Sequence, residues 1–168
     1  DVQVVGVVLY FLPVRMRVPL KFGTAVLTSI TCARACVTVA DGRGRRADGW
    51  GETPLSVGWA WPSSQPYDER EQALKQFCIT LTEAWAGYGA AGHPIEIGHD
   101  FQQQVLPDLV TQANERNGAE SGSMPWLAAM VCLSAFDIAL HDAYGVLHGE
   151  PVYQTYGRDF MNRDLASF

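Results

Sequence analysis

The chain has 168 residues, a mass of 18.4 kDa and a net charge of −6. This length suits one domain and excludes a complete (β/α)₈ barrel, which needs roughly 200 residues or more. With 12 basic against 18 acidic residues, the composition argues against the clustered basic face of a nucleic-acid-binding protein. Hydrophobic residues make up 48% and charged residues only 18%, so a packed core and a partly covered surface are expected.

The sequence shows no signal for a membrane or for an oxidising compartment. No apolar run reaches the ~18 residues of a transmembrane span, and the first three residues lack the pattern of a signal peptide. Cys32 and Cys36 lie on a predicted strand, about 13 Å apart, which is too far for a disulfide. Together with Cys78 and Cys132 they show no zinc spacing. We therefore predict free thiols and a cytoplasmic location.

The first third of the chain has the composition of β-strands. Residues 2–12, 25–40 and 50–55 are rich in β-branched and aromatic residues, and short turn signals separate the second from the third. After the first of these predicted strands, two prolines, Pro13 and Pro19, bracket residues 14–18. Consecutive strands joined by short turns predict an antiparallel meander.

Residues 56–66 form a predicted loop that carries two large aromatic side chains. The segment is rich in glycine, serine and proline, and contains Trp59 and Trp61. Tryptophans on a loop either pack onto the core or stay exposed for a ligand or a partner. The sequence alone leaves both alternatives open.

Two helices are expected in the middle of the chain. Asp68 and Glu71 have the spacing of a capping box, and apolar residues then follow at helical spacing up to Gly87. A second helical pattern covers residues 97–115, where Pro107 should kink or split the helix.

A third helix is predicted over residues 125–147, with Ser123 as its N-cap. Its residues are apolar almost all round, so we expect it to be buried on every side. A domain of this size rarely encloses such a helix by itself, which again indicates a covering surface.

The polar side chains offer few candidates for chemistry. Asp137 and His141 are four residues apart and share a helix face, which suits a metal site or an acid–base pair. The alternative, which we favour, is a carboxylate that makes hydrogen bonds in an apolar environment. His93 and His99 lie at helix starts and His148 at a helix end, where structural roles are the rule. No phosphate-binding, nucleophile-elbow or zinc-protease motif occurs, so no catalytic or metal-binding residue is predicted.

Two stretches carry a resemblance to a known family. One is Gly-Trp-Gly-Glu-Thr at 49–53; the other is Ala-Phe-Asp-Ile-Ala-Leu-His-Asp-Ala-Tyr-Gly at 135–145, followed by Gly-Glu-Pro-Val-Tyr-Gln-Thr-Tyr-Gly at 149–157. Together they resemble the N-terminal capping domain of the enolase superfamily, in its mandelate racemase and muconate lactonizing enzyme branch. The chain departs from that pattern at His141, where tryptophan is usual, and at Thr155 and Tyr156, where two leucines are usual.

The resemblance implies an α+β fold: a three-stranded antiparallel meander followed by about three helices. Residues 1–157 would form the capping domain, and residues 158–168 a linker toward a catalytic (β/α)₇β barrel that is absent from this chain. In the family the barrel binds Mg²⁺ and supplies the groups that abstract a proton α to a carboxylate, in racemases, epimerases, dehydratases and cycloisomerases. The resemblance therefore implies no catalytic or metal-binding residue here, and an inactive isolated chain.

The family's caps select the substrate through two loops. By resemblance, residues 15–24 form the first loop, and residues 56–66 would wall off the pocket as the second. The candidate substrate-binding residues are Arg15, Arg17, Lys21, Phe22, Thr24, Trp59 and Trp61. The three cations would pair with a substrate carboxylate; the alternative is that they are merely solvated and that the tryptophans pack locally.

The implied partners are the chain's own C-terminal barrel and a small carboxylate substrate. Neither a nucleic acid nor a membrane is expected, and a homo-oligomer is compatible with the apolar third helix. An alternative function is a free-standing binding or interaction module that keeps the cap fold and uses its apolar face to hold another protein.

Overall fold

The computed structural model describes residues 1–22, 25–117 and 122–168. Within these ranges, four strands and five α-helices follow each other, with short 3-10 turns at Val152–Thr155 and Leu165–Ser167. The bounds are β1 Val2–Phe22, β2 Ala25–Asp41, β3 Arg46–Pro54, α1 Val57–Ala60, α2 Tyr67–Gly87, β4 Ala91–Gly92, α3 Pro94–Gln104, α4 Leu106–Asn117 and α5 Trp126–His148.

The strands form one antiparallel sheet in the order β3-β2-β1-β4. The α+β class and the meander of the first three strands are confirmed. The fourth strand was not predicted: it has two residues, which pair with Val2 and Gln3. A strand this short has no alternating pattern from which it could be recognised.

β1 continues through both prolines, so the predicted end of the first strand near residue 12 was wrong. Pro13 lies opposite Thr31 in the pairing with β2, and the other edge of β1 is open there because β4 pairs only with its first residues. A proline is tolerated on such an edge, since its missing N–H need not bond a neighbour. Pairing is irregular between Arg15 and Leu20 and then resumes, so β1 and β2 extend as a long hairpin arm.

The helix α5 packs directly on β3 because two glycines leave room for its backbone. A Cβ added at Gly49 would lie 2.0 Å from the Ala143 nitrogen, and one added at Gly51 would lie 2.1 Å from the Ala135 oxygen. At the free edge of β3, the Trp50 N–H donates to Asp142 Oδ2 at 2.8 Å. The glycines of the Gly-Trp-Gly-Glu stretch thus have a packing role.

Pro107 does split the second predicted helix, as expected. α3 ends at Gln104 and α4 begins at Leu106, with Val105 between them.

Both predicted helix N-caps in this part of the fold were wrong. α2 follows Pro66 and α5 follows Pro125, and neither start has a side-chain cap. Glu71 instead accepts a hydrogen bond from Thr31 Oγ1 at 2.7 Å, because β2 passes close to the first turns of α2.

α5 is not buried on all sides. Its inner surface lies in the core, whereas Trp126, Leu127, Ile138 and Val146 are each at least 44% exposed. By length and composition α5 would also suit a membrane span, but half of its most apolar window is buried inside the fold. Part of the apolar surface of α5 is therefore uncovered by the described residues.

The thiols and the C-terminal segment complete the fold. All four cysteines are free, as predicted.

Residues 158–168, predicted as a linker, pack against α3: Glu96 Oε1 accepts from the backbone N–H groups of Asn162 and Arg163, both at 2.7 Å.

Candidate functional site

The hairpin arm carries the predicted basic residues. Arg15 lies opposite Ser29 and Lys21 opposite Val26, with Arg17 in the irregular segment between them. All three side chains are exposed, and none forms an ion pair within the described ranges. Thr24 and the side chain of Phe22 lie outside the described residues.

The two tryptophans of the predicted loop have different environments. Residues 57–60 form the short helix α1, which exposes 51% of Trp59. Trp61 follows the helix and is buried in the core, with 3% exposed. The sequence left open whether these tryptophans pack onto the core or stay exposed. Trp61 packs onto the core, and Trp59 stays exposed.

A cavity of about 1060 Å³ lies between the hairpin arm, α1 and the start of α2, and we call it the arm cavity. Its lining combines a mostly apolar arm wall, which includes Thr28, Ser29 and Thr31, with a polar α2 wall: Pro13, Leu20, Val26, Leu27, Thr28, Ser29, Ile30, Thr31, Ser56, Gly58, Trp59, Tyr67, Asp68, Arg70 and Glu71. Both predicted loops thus contribute to one cavity. Of the predicted site residues, Trp59 lines it, while Arg15, Arg17, Lys21 and Trp61 do not.

The polar wall of the arm cavity is held by internal bonds. Glu71 accepts from Thr31 Oγ1 and lies 3.2 Å from Lys75 Nζ. Arg70 is buried, and its guanidinium donates to the backbone oxygens of Trp61 and Pro66. Among the described lining residues Arg70 is the only cation, and its hydrogen bonds fix the segment between α1 and α2.

The phenol of Tyr67 stays neutral at physiological pH. Burial, followed by the nearby carboxylates Glu71 and Asp68, raises its pKa above the usual value. The wall therefore presents a neutral hydroxyl and carboxylates to a ligand, and the opposite wall presents apolar side chains. These lining residues suit the binding and orientation of a ligand. None of the described lining residues pairs a nucleophile with an activating base.

A second polar cluster lies away from the arm cavity, between α5 and the 3-10 turn at Val152–Thr155. Tyr156 Oη lies 2.8 Å from His141 Nδ1, and His141 Nε2 lies 3.9 Å from Asp137 Oδ1. Burial lowers the pKa of His141 and raises that of Asp137. A neutral imidazole that bonds a phenol fits the structural role we favoured for this pair.

His93 has a structural role at a helix start, as the sequence indicated. It caps α3: its Nδ1 accepts from the Ile95 N–H at 3.2 Å, and Glu96 closes the capping box by accepting from the His93 N–H. Its Nε2 lies 3.0 Å from Thr155 Oγ1, which itself donates to the Val152 oxygen. Burial, with the nearby His141, lowers the pKa of His93 to about 4, so the ring is neutral.

No metal centre is built from the residues that the structure describes. Within residues 1–22, 25–117 and 122–168, no three His, Cys, Asp or Glu side chains converge. Carboxylate oxygens grouped in space are what Mg²⁺ requires from a protein, so these residues do not fit a magnesium site.

The meander, its long hairpin arm and the helices packed on one sheet face form an α+β domain. No family model matches the sequence, and no curated protein matches it. The fold is shared with solved structures, two of which illustrate the likeness. The substrate-liganded L-Ala-D/L-Glu epimerase from Bacillus subtilis aligns with a TM-score of 0.54 and 19% identity, over 92% of this chain and 34% of that chain.

The second is L-talarate dehydratase from Polaromonas sp. JS666, complexed with Mg and L-glucarate. It aligns with a TM-score of 0.53 and 15% identity, over 94% of this chain and 35% of that one. The chain thus spans about a third of the length of these enzymes. What it shares with them is the α+β fold over that third of their length.

Proposed function

We propose that the chain is the capping and substrate-specificity domain of a Mg²⁺-dependent enzyme of the enolase superfamily, which abstracts a proton α to a carboxylate. The observation that carries the proposal is the arm cavity, in which both predicted specificity loops meet beside an exposed tryptophan. The reaction would be a racemisation, epimerisation, dehydration or cycloisomerisation.

In this role the chain would bind and orient the substrate and exclude water. Trp59 and Leu20 would contact apolar parts of the substrate, and the carboxylates of Asp68 and Glu71 would accept hydrogen bonds from its polar groups. An apolar lid over a reaction site strengthens the electrostatic interactions beneath it. The metal and the acid–base groups would belong to a barrel outside this chain, and the isolated chain would be inactive.

The basic residues of the arm would act at the entrance. Arg15, Arg17 and Lys21 are exposed on a chain whose net charge is −6, so they provide a local attraction for a substrate carboxylate. Trp61 would contribute indirectly. Its side chain is buried in the core, and its carbonyl accepts a hydrogen bond from Arg70 and so holds Arg70 in the cavity wall.

The test is made on the complete gene product that contains the barrel. Exchange of the α-proton in D₂O is followed by NMR across a panel of carboxylates, with Mg²⁺ and with a chelator. Trp59→Ala should change the ratio of kcat/KM between large and small substrates by roughly tenfold, since one apolar contact is worth about 1–3 kcal/mol. Trp126→Ala is the matched control, because Trp126 is similarly exposed (44%) but does not line the arm cavity.

Two results would contradict the proposal. One is a barrel-containing protein that shows no Mg²⁺-dependent exchange with any carboxylate. The other is a Trp59→Ala enzyme whose substrate preference equals that of Trp126→Ala.

A free-standing binding module is the second candidate function. The exposed apolar side chains on the outer sheet surface, Trp50 among them, favour it. A gene that stops at Phe168 would support this alternative, whereas an open reading frame that continues into a barrel would support the enzyme. Under either function we predict a cytoplasmic location, with which four free thiols are consistent.

A further inference from the structure

The positive charge in the lining of the arm cavity is engaged by the protein itself. Arg70 is the one cation among the described lining residues, and its guanidinium donates to the backbone oxygens of Trp61 and Pro66. The side chain is also buried, with 8% exposed. A ligand carboxylate inside the cavity would therefore lack an exposed cation to pair with among the described lining residues.

The negative charges of the lining differ in how far they are engaged. Glu71 accepts from Thr31 Oγ1 at 2.7 Å and lies 3.2 Å from Lys75 Nζ. Asp68 is exposed, and its carboxylate takes part in none of the hydrogen bonds and ion pairs that join residues of the described ranges. Asp68 is thus the lining charge that a ligand can neutralise.

The phenol of Tyr67 reports the sign of the electrostatic potential in this wall. Burial is the largest cause of its raised pKa; Glu71 and Asp68 raise the pKa further, and Arg70 lowers it by less than either carboxylate raises it. The two carboxylates therefore outweigh the guanidinium at this point of the cavity. The potential there is negative, which attracts a cation and repels a carboxylate.

The rest of the lining suits an apolar stem that carries such a cation. Leu20, Val26 and Leu27 present apolar side chains from the hairpin arm, and Trp59 leaves 51% of its surface exposed. An indole ring attracts an organic cation held over its face. The aliphatic part of a basic group packs on apolar surface while its charged end reaches a polar partner.

We infer that the arm cavity selects substrates that carry a guanidinium or ammonium group on an apolar stem, remote from the reacting carboxylate, and that Asp68 is the specificity-determining residue that pairs with this cation. The inference rests on the proposed function and names its substrate class. The substrate carboxylate would lie outside the arm cavity. Arg15, Arg17 and Lys21, which are exposed and do not line the cavity, would attract it there.

The first experiment compares two substrates that differ in this one charge. Nα-acetylarginine carries a guanidinium, and Nα-acetylcitrulline carries a neutral urea of nearly the same shape. With the complete gene product that contains the barrel, kcat/KM for exchange of the α-proton in D₂O should be higher for the arginine derivative. Asp68→Asn should lower this preference roughly three- to tenfold, as for one charge-assisted pair that stays partly exposed. Asp68→Lys should reverse the preference, because like charges then meet in the cavity.

Glu69→Gln is the matched control. Glu69 is the next residue of α2 and is also exposed, but it does not line the arm cavity. The control removes the same unit of charge as Asp68→Asn, so a general effect of net charge would appear in both variants. Direct pairing in the cavity should change the preference in Asp68→Asn and leave it unchanged in Glu69→Gln.

The second experiment requires no turnover. Ligand-observed NMR on the same protein, without Mg²⁺, measures the binding of n-butylguanidinium and of its neutral analogue n-butylurea. The cation should bind more tightly than the urea to the wild type and to Glu69→Gln. Asp68→Asn should bind the two compounds equally.

The two experiments separate this inference from the proposed function. Binding of n-butylguanidinium that depends on Asp68, without exchange of any α-proton, would support the cation site and contradict the proposed function. Exchange without a preference for the arginine derivative, or with a preference that Asp68→Asn leaves unchanged, would overturn the inference and leave the proposed function standing. Equal effects of Asp68→Asn and Glu69→Gln, or equal binding of the cation and the urea by the wild type, would overturn it as well.

Discussion

Replacing Gly51 by alanine should destabilise the protein by pushing α5 away from the sheet. The glycine has ordinary, non-positive backbone angles, so alanine meets no conformational strain there. The new Cβ would instead lie 2.1 Å from the Ala135 oxygen and 2.7 Å from the Ala139 nitrogen. Both neighbours are backbone atoms of a helix, which cannot rotate aside as a side chain does.

The size of the effect follows from the gap that must open. An ordinary contact is at least 3.4 Å, so α5 has to move by more than 1 Å at this point. A gap of 0.5–1 Å already loses about a quarter to a half of the dispersion attraction across it. We expect a loss of about 3 kcal/mol, at the upper end of the range for overpacking, from a total of about 5–15 kcal/mol.

Urea unfolding followed by tryptophan fluorescence measures this loss. At about 2 kcal/mol per molar urea, the midpoint should fall by roughly 1.5 M. Gly87→Ala is the matched control, because no atom lies within 4 Å of its added Cβ and it ends a helix, where alanine is neutral or stabilising. An unfolding midpoint of Gly51→Ala equal to that of Gly87→Ala would refute the reasoning about close helix packing.

Two further predictions concern the polar contacts that hold α3. Because the pKa of His93 is lowered from 6.5 to about 4, its contribution is complete above pH 6.5 and is lost as the pH falls toward 4, up to about 3 kcal/mol. His93→Asn keeps an oxygen for the Ile95 N–H but removes the titratable imidazole. The urea midpoint of this variant should therefore change less between pH 7 and 4.5 than that of the wild type. An equal change of midpoint in both proteins would contradict the assignment of the pH dependence to His93. Burial alone would raise the pKa of Glu96, but hydrogen bonds from His93, Asn162 and Arg163 lower it, so its stabilisation is present above its usual pKa and is lost as the pH falls through the lowered value. Glu96→Gln should cost about 1–3 kcal/mol and speed hydrogen exchange at the Asn162 and Arg163 amides, and unchanged exchange there would show that Glu96 does not hold the C-terminal segment.

Features that depend on local chemistry were predictable from the sequence. Pro107 splits a helix because it has no N–H to donate to the carbonyl four residues earlier and its ring crowds that carbonyl, whatever the rest of the fold does. The meander follows from strand composition and short turns. The Gly-Trp-Gly-Glu stretch was recognised as a pattern, but its physical reason became visible only with α5 in place.

Features that depend on distant neighbours were not predictable. Asp68 has the spacing of an N-cap, yet Pro66 precedes the helix and Glu71 finds Thr31 on a strand forty residues earlier. β1 continues past Pro13 because its other edge is open, and no local pattern shows which edges of a strand will be paired. The roles of such residues are decided by tertiary contacts that override local preference.

Arg70 shows how such a tertiary contact shapes the candidate site. An arginine among the polar residues at the start of a helix is ordinarily solvated. Arg70 is instead buried, and it donates to the carbonyls of Trp61 and Pro66. Those two bonds fix the segment between α1 and α2 on the core, with Trp61 packed beneath it. Because α1 ends at that fixed point, Trp59 is held at the opening of the arm cavity rather than packed inside. The exposure of Trp59 is thus linked to the burial of Trp61 and to an arginine whose guanidinium is bonded within the fold.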